Sequence, residues 1–276
     1  MNTTAIKILA DKLNFPEGPA FAPDGSLWAV ELKGGSLIRY KDKSLERIPV
    51  GGKPNGIAID GRGMIWYCDA GLHSIRCLDP TTKKIQVMAD EVEEEPLDEP
   101  NDLAFDRTGN LVFTCPGNSR KEPTGYACVL LKDGPVKKIT TGKYFPNGLA
   151  FTADGRQLII AETYRHRLWK GDWDGLTGEW TNARVWCDIG GPDGPGGPDG
   201  MAFDGAGDLY VAVFGTGELR VVDPSGKVKR QIPLPGRNPT NCAFAPSDRT
   251  GPDELSLVVT EAENGMLLSL PKTYHS

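Results

Sequence analysis

Several familiar catalytic parts are missing from this chain. Its 276 residues include 3 histidines, and none sits in an HExxH pair, so a histidine-built zinc protease helix is excluded. No GxSxG elbow and no P-loop occurs, which removes serine-nucleophile catalysis and phosphate cradling from consideration. Positive charge is short as well: 31 lysines and arginines face 37 aspartates and glutamates, a formal net charge of -6. Such a chain has no electrostatic footprint for nucleic acid or an anionic membrane surface, and neither is expected as a partner. No run of about 18 apolar residues could span a bilayer. The N-terminal MNTTAIKILADKLNF lacks an apolar segment ending in small residues, so a cytoplasmic location is expected. The 6 cysteines avoid CxxC spacing and sit in apolar runs such as MIWYCD and RVWCD. Buried free thiols are expected rather than a disulfide framework.

What the chain does have is one phrase written six times. The copies are FPEGPAF from Phe15, KPNGIAI from Lys53, EPNDLAF from Glu99, FPNGLAF from Phe145, GPDGMAF from Gly197 and, loosely, NPTNCAF from Asn238. Counted at the residue after the proline (17, 55, 101, 147, 199 and 240), the spacings are 38, 46, 46, 52 and 41. Repeats of this length built from short strands indicate a β-propeller, because a helical solenoid would show a period of 3.6 residues. After each phrase comes a glycine-bearing turn such as PDG, GRG, RTG, ADG or GAG, where glycine supplies the positive φ of a tight hairpin. An apolar second strand follows (SLWAV, MIWYC, NLVFT, QLIIA, DLYVA, SLVVT), then a third and a fourth. The expected fold is all-β, a six-bladed propeller of four antiparallel strands per blade, forming one domain over residues 1–276. The sixth unit stops after three strands, and IKILADKL at the N-terminus can supply the fourth. That closure would remove an exposed sheet edge.

In such a blade the first strand is innermost, so the six phrases place Glu17, Asn55, Asn101, Asn147, Asp199 and Thr240 in a ring at one mouth of the central channel. The connections between strands two and three (31–35, 69–73, 115–125, 162–166, 214–217 and 261–265) return to the same mouth and should form its wall. Turn formation explains an asparagine or aspartate at one strand entrance. Converging carboxylates and amides suit a hard cation: calcium first, then magnesium or manganese, with zinc a less natural occupant. A bound dication would polarise an ester or lactone carbonyl while a carboxylate takes a proton from water.

PEGPAF, PNDLAF, PNGLAF and PDGMAFD together resemble the senescence marker protein/gluconolactonase/regucalcin-like family of calcium-dependent lactonase propellers, related in architecture to diisopropylfluorophosphatase and paraoxonase. The resemblance spans the chain. It implies a metal held by Glu17, Asn147 and Asp199, with Asp199 as base. Asn101 would lie beside the metal, orienting water or substrate, or ligate it directly. Family members that open sugar lactones commonly carry an arginine where this sequence has Glu99, which argues against an aldonolactone. Glu99 closes the acidic run DEVEEEPLDEP, expected to be either a solvated loop or a lid that disfavours anionic substrates.

Glu99, Asn118, Arg120 and Tyr164 are the candidate substrate contacts, with Arg165 beside them. His73 and His166 are expected at the surface near the pocket edge. GDWDGLTGE (171–179) echoes part of a calcium-binding EF-hand loop through Asp172, Asp174 and Glu179, but it lacks the flanking helices and full spacing and reads as a turn between strands. The chain is therefore expected to be a metal-dependent lactonase acting on a small lactone or ester, as a monomer or homodimer. The alternatives are an organophosphate-type phosphotriesterase on the same site and a non-catalytic calcium- or ligand-binding propeller.

Overall fold

Each repeat folds into a four-stranded antiparallel sheet, and six such sheets form the propeller expected from the sequence. The computed structural model describes residues 5–246 and 256–271. The inner strands run Pro16–Phe21, Pro54–Ile59, Leu103–Phe105, Pro146–Phe151, Gly197–Phe203 and Pro239–Phe244, so each lies within the repeated phrase and ends where it ends. Second strands such as Leu111–Cys115 are buried along their whole length, because neighbouring blades cover both faces. Fourth strands such as Ser44–Pro49 lie outermost and expose most of their residues. The turn after the first inner strand closes with Gly25 at φ 91°, its N–H donating to Ala22 O at 3.0 Å, a conformation glycine adopts without strain.

The core is divided among the blade interfaces. Among the described residues six apolar clusters are found, and each joins two adjacent blades. Trp66, Ile75, Leu111 and Phe113, for example, fill the seam between blades two and three. All six cysteines are buried free thiols, as expected.

The ring closes through the N-terminus. Lys7–Ala10 pairs antiparallel with Met266–Leu270, matching Lys7 to Ser269 and Ile8 to Leu268, and becomes the outer strand of blade six. Leu13 N then donates to Gly265 O at 2.9 Å, and Thr240 Oγ1 donates to Pro16 O at 2.8 Å across the junction of blades six and one.

The acidic run exposes all of its carboxylates, as a solvated segment would, but it is folded rather than an open loop. Glu91–Val92 and Glu95–Pro96 make a small hairpin whose turn residues Glu93 and Glu94 have φ of 55° and 66°. Val92 and Leu97 are buried in the seam between blades two and three, and Glu93 pairs with Lys138 at 2.8 Å. Burial and this ion pair fasten the hairpin to blade three. GDWDGLTGE is the hairpin turn between strands Arg167–Asp174 and Glu179–Asp188, with Asp174 Oδ1 accepting from Leu176 N. No helix among the described residues is long and apolar enough to cross a membrane.

Candidate active site

The phrase aims its side chains inward through a fault in the strand. In five blades the pairing with strand two slips just after the proline: between Glu17 and Ala20, Pro54 and Ile57, Pro146 and Leu149, Pro198 and Met201, and Pro239 and Asn241. Such an irregularity bends the strand and redirects its side chains. In blade three, Asn101 N to Thr114 O (2.9 Å) and Thr114 N to Asp102 O (3.0 Å) hold the same course. Glycine after the ring residue lets the inner strands crowd together. A Cβ on Gly148 would stand 2.2 Å from Asp199 O.

The result is a cavity of about 320 Å³ at the mouth of the channel. Glu17, Asn55, Asn147 and Asp199 are its buried floor, and Asn101 is half-buried beside them. Asn147 donates through Nδ2 to Thr163 Oγ1 at 3.2 Å, and Thr163 donates to Pro198 O at 2.8 Å, tying blade four to blade five. Among the described residues the side-chain amides of Asn55 and Asn101 make no hydrogen bond to protein, and neither does Asn147 Oδ1, although the backbone oxygen of Asn147 accepts from Thr114 Oγ1 at 2.8 Å.

Buried acids elsewhere are compensated, Asp106 and Glu261 by several hydrogen bonds and others by a cation. Glu31 is paired with Arg47, Asp69 with Arg76 and Glu162 with Arg167, which repays the cost of burying their charge. Glu17 and Asp199 have no lysine or arginine partner among the described ion pairs. Burial, then repulsion from Asp102, pushes Glu17 up to about 8, against a partial offset from the Gly18 N–H. Burial, then Glu17, then Asp102 raise Asp199 well above the usual carboxylate range, while the Asn147 amide works against them. Among the described residues no three histidine, cysteine, aspartate or glutamate side chains gather into a cation-binding group by themselves. Any ion here would have to draw on the amide oxygens as well.

The family model described as the SMP-30/gluconolactonase/LRE-like region matches residues 15–263, from the first phrase through the last. The chain belongs to this family. The diisopropyl-fluorophosphatase of Loligo vulgaris is 31% identical to it over 278 residues, covering 90% of this chain and 86% of that protein. The gluconolactonase of Zymomonas mobilis is 28% identical over 280 residues, covering 90% and 78%. A solved gluconolactonase from Xanthomonas campestris superposes with a TM-score of 0.81 at 25% identity, covering 96% of this chain and 89% of that one.

In this SMP-30/gluconolactonase/LRE-like chain most of the expected site residues come together, and several do not. Glu17, Asn101, Asn147, Asp199, Glu99, Arg120 and Tyr164 all line the cavity. Thr240 does not: its hydroxyl is committed to Pro16 O and Thr260 Oγ1. The 261–265 loop is also absent from the wall, because the closing N-terminal segment lies against it, with Leu13 O only 2.2 Å from where a Gly265 Cβ would be. Asn118 stands behind Arg120 and accepts its Nη1–H at 3.2 Å. Arg165 stacks over Tyr144 at 3.7 Å instead of lining the cavity. His73 is bound to Leu97 O at 2.9 Å and His166 to Gly196 O at 3.1 Å, so both brace backbone outside the cavity.

Other residues emerge only in the fold. Asp102 and Asn241, the fourth residues of the third and sixth phrases, meet across the channel, with Asn241 Nδ2 donating to Asp102 Oδ2 at 3.4 Å. Burial pushes Asp102 up to about 6 against the Leu103 N–H and the Asn241 amide. The available signal was that the other four phrases carry glycine there. Phe15, Lys53 and Phe145, which open their phrases, also line the cavity, as do Lys33, Phe214, Pro195 and Gly196. The lining residues Pro195 and Gly196 come from a loop that no repeat unit announces.

Proposed function

We propose that the protein is a divalent-metal-dependent hydrolase that opens lactones. The observation that carries this reading is the pair Glu17 and Asp199, two carboxylates buried without a cationic partner beside amide oxygens that lack protein partners. Burying uncompensated charge is costly, and hard oxygen donors suit calcium first, then magnesium or manganese. Glu17, Asn147 and Asp199 would hold the ion, with Asn101 beside them. A cation bound there supplies positive charge that polarises a lactone carbonyl and stabilises the oxyanion developing on it.

In this reading Asp199 takes a proton from the water that adds to the carbonyl carbon. The ring C–O bond then breaks, the proton passes to the departing ring oxygen, and the product is a hydroxy acid. Asn101 orients the water or the substrate. Glu17 would balance the ion's charge and take no part in proton transfer. Identity of 31% with a fluorophosphatase favours phosphotriesters as a second substrate class to test on the same oxygens. Elemental analysis of the purified protein, followed by a lactone and phosphotriester panel, tests the reading; one equivalent of bound metal and hydrolysis of at least one lactone are expected. A protein that holds no metal, and stays inert with added calcium, magnesium, manganese or zinc, would be a non-catalytic propeller instead.

The raised acids set a pH signature. An acid whose folded value lies above its unfolded one binds more protons when folded, so its stabilisation is complete at low pH and disappears as pH rises through the folded value. With Glu17 near 8, the melting temperature in chelator should fall as pH is raised from 6 to 9. Saturating calcium should remove most of that slope and release protons at neutral pH, measurable by calorimetry in buffers of different ionisation enthalpy. An equal slope with and without calcium would contradict the assignment.

A further inference from the structure

The residue that opens each phrase has a second use. Phe15, Lys53, Glu99 and Phe145 all line the cavity, and three of them are left-handed: Phe15 at φ 62°, Glu99 at 49° and Phe145 at 59°. Bulky residues seldom adopt this region, and they hold it only where their surroundings dictate it. For Phe15 those surroundings are Leu13 O, which accepts its N–H at 3.2 Å, and Leu32 N, which donates to its carbonyl at 3.0 Å. Phe145 is fixed in the same way, by Ser119 Oγ at 2.9 Å and Thr163 N at 3.1 Å. Blade five opens with Gly197, where a Cβ would strike Thr163 O at 2.2 Å. Phe214 lines that side instead, stacked on Phe15 with centroids 6.3 Å apart.

The polar groups around these rings serve the rings. Lys33 Nζ lies 4.7 Å from the Phe15 centroid and the Arg120 guanidinium 4.9 Å from that of Phe145. Arg120 also donates Nε–H to Tyr164 Oη at 3.2 Å and Nη1–H to Asn118, and Tyr164 packs edge-on against Phe145 at 5.5 Å. A sugar lactone carries a hydroxyl on nearly every ring carbon, and each one buried without a partner weakens binding. Above the floor of oxygens, Phe15, Phe145, Tyr164 and Phe214 set four aromatic rings in this wall, with the charged Lys53 and Glu99 between them in sequence.

We propose that the phrase-opening Phe15 and Phe145, with Phe214, form a selectivity collar that admits lactones or esters bearing an apolar ring or acyl arm in preference to polyhydroxylated sugar lactones. The proposal rests on the hydrolase reading above, and its test separates the two. kcat/KM is measured for dihydrocoumarin and glucono-δ-lactone on the metal-loaded protein and on Phe145→Leu and Phe145→Ser, with Phe214→Ser in reserve should the latter fail to fold. The parent should prefer dihydrocoumarin by at least about tenfold; Phe145→Ser should cut that ratio by roughly 10-fold or more, and Phe145→Leu by less. A parent ratio below one, or a ratio unmoved in the serine variant, would overturn the collar. Should neither lactone be hydrolysed, the hydrolase reading is decided by the wider panel above, and calorimetry with 3-(2-hydroxyphenyl)propanoate against gluconate decides the collar. Tighter binding of the aryl acid upholds it, and equal or tighter binding of gluconate overturns it.

Discussion

Asp199→Asn is expected to lower kcat/KM by about a thousandfold on whatever lactone the protein opens, within the range for removal of a general base, and added calcium should not restore it. Glu17→Gln should behave differently. The glutamine keeps the shape and an oxygen for the Gly18 N–H that now reaches Glu17 Oε2 at 3.0 Å, but it removes one of the two charges proposed to anchor the ion. Cation affinity should fall, and activity should return as calcium is raised. Titrating calcium against kcat/KM for both variants, with metal content measured in parallel, separates base from ligand. Full activity of Asp199→Asn without added metal would remove it from the mechanism. Stability in chelator should move the other way, because each substitution relieves repulsion among Glu17, Asp102 and Asp199. Both variants should then melt above the parent at pH 8.

Deleting residues 1–13 is expected to be the most damaging change to the fold. It removes the outer strand paired with Met266–Leu270 and the buried Leu13, and it leaves an inner-blade strand with its edge open. Loss of Leu13 burial costs about 2 kcal/mol, and the lost ladder and Leu13–Gly265 bonds add roughly 1 kcal/mol each. The total of about 5 kcal/mol corresponds to a drop of roughly 10–15 °C in Tm for a chain of this size, with aggregation through the freed edge. Melting and light scattering of the truncated protein would measure both, and an unchanged melt would rule out the closing role.

The repeated phrase alone determined the propeller and its blade number, and it nominated the oxygens at the channel mouth. Proline, glycine and apolar residues recurring at a near-constant spacing are local signals, and local signals survive in a linear text. Closure by the N-terminus was legible for the same reason: a count of strands came out one short at one end and one over at the other. Tertiary structure decided what no single repeat contains. Thr240 looks like a ring member in sequence, yet the closing segment over blade six and the bond to Pro16 O take it out of the cavity. Asp102 and Asn241 are 139 residues apart and become partners because blades three and six face each other across the channel. The acidic run is solvated at its carboxylates, as it looked, while two apolar residues within it, Val92 and Leu97, bury themselves between neighbouring blades and fold it into a hairpin. The sequence named the oxygens that face one another; only closing the ring showed that Glu17 and Asp199 are buried there without an ion pair to a lysine or arginine among the described residues.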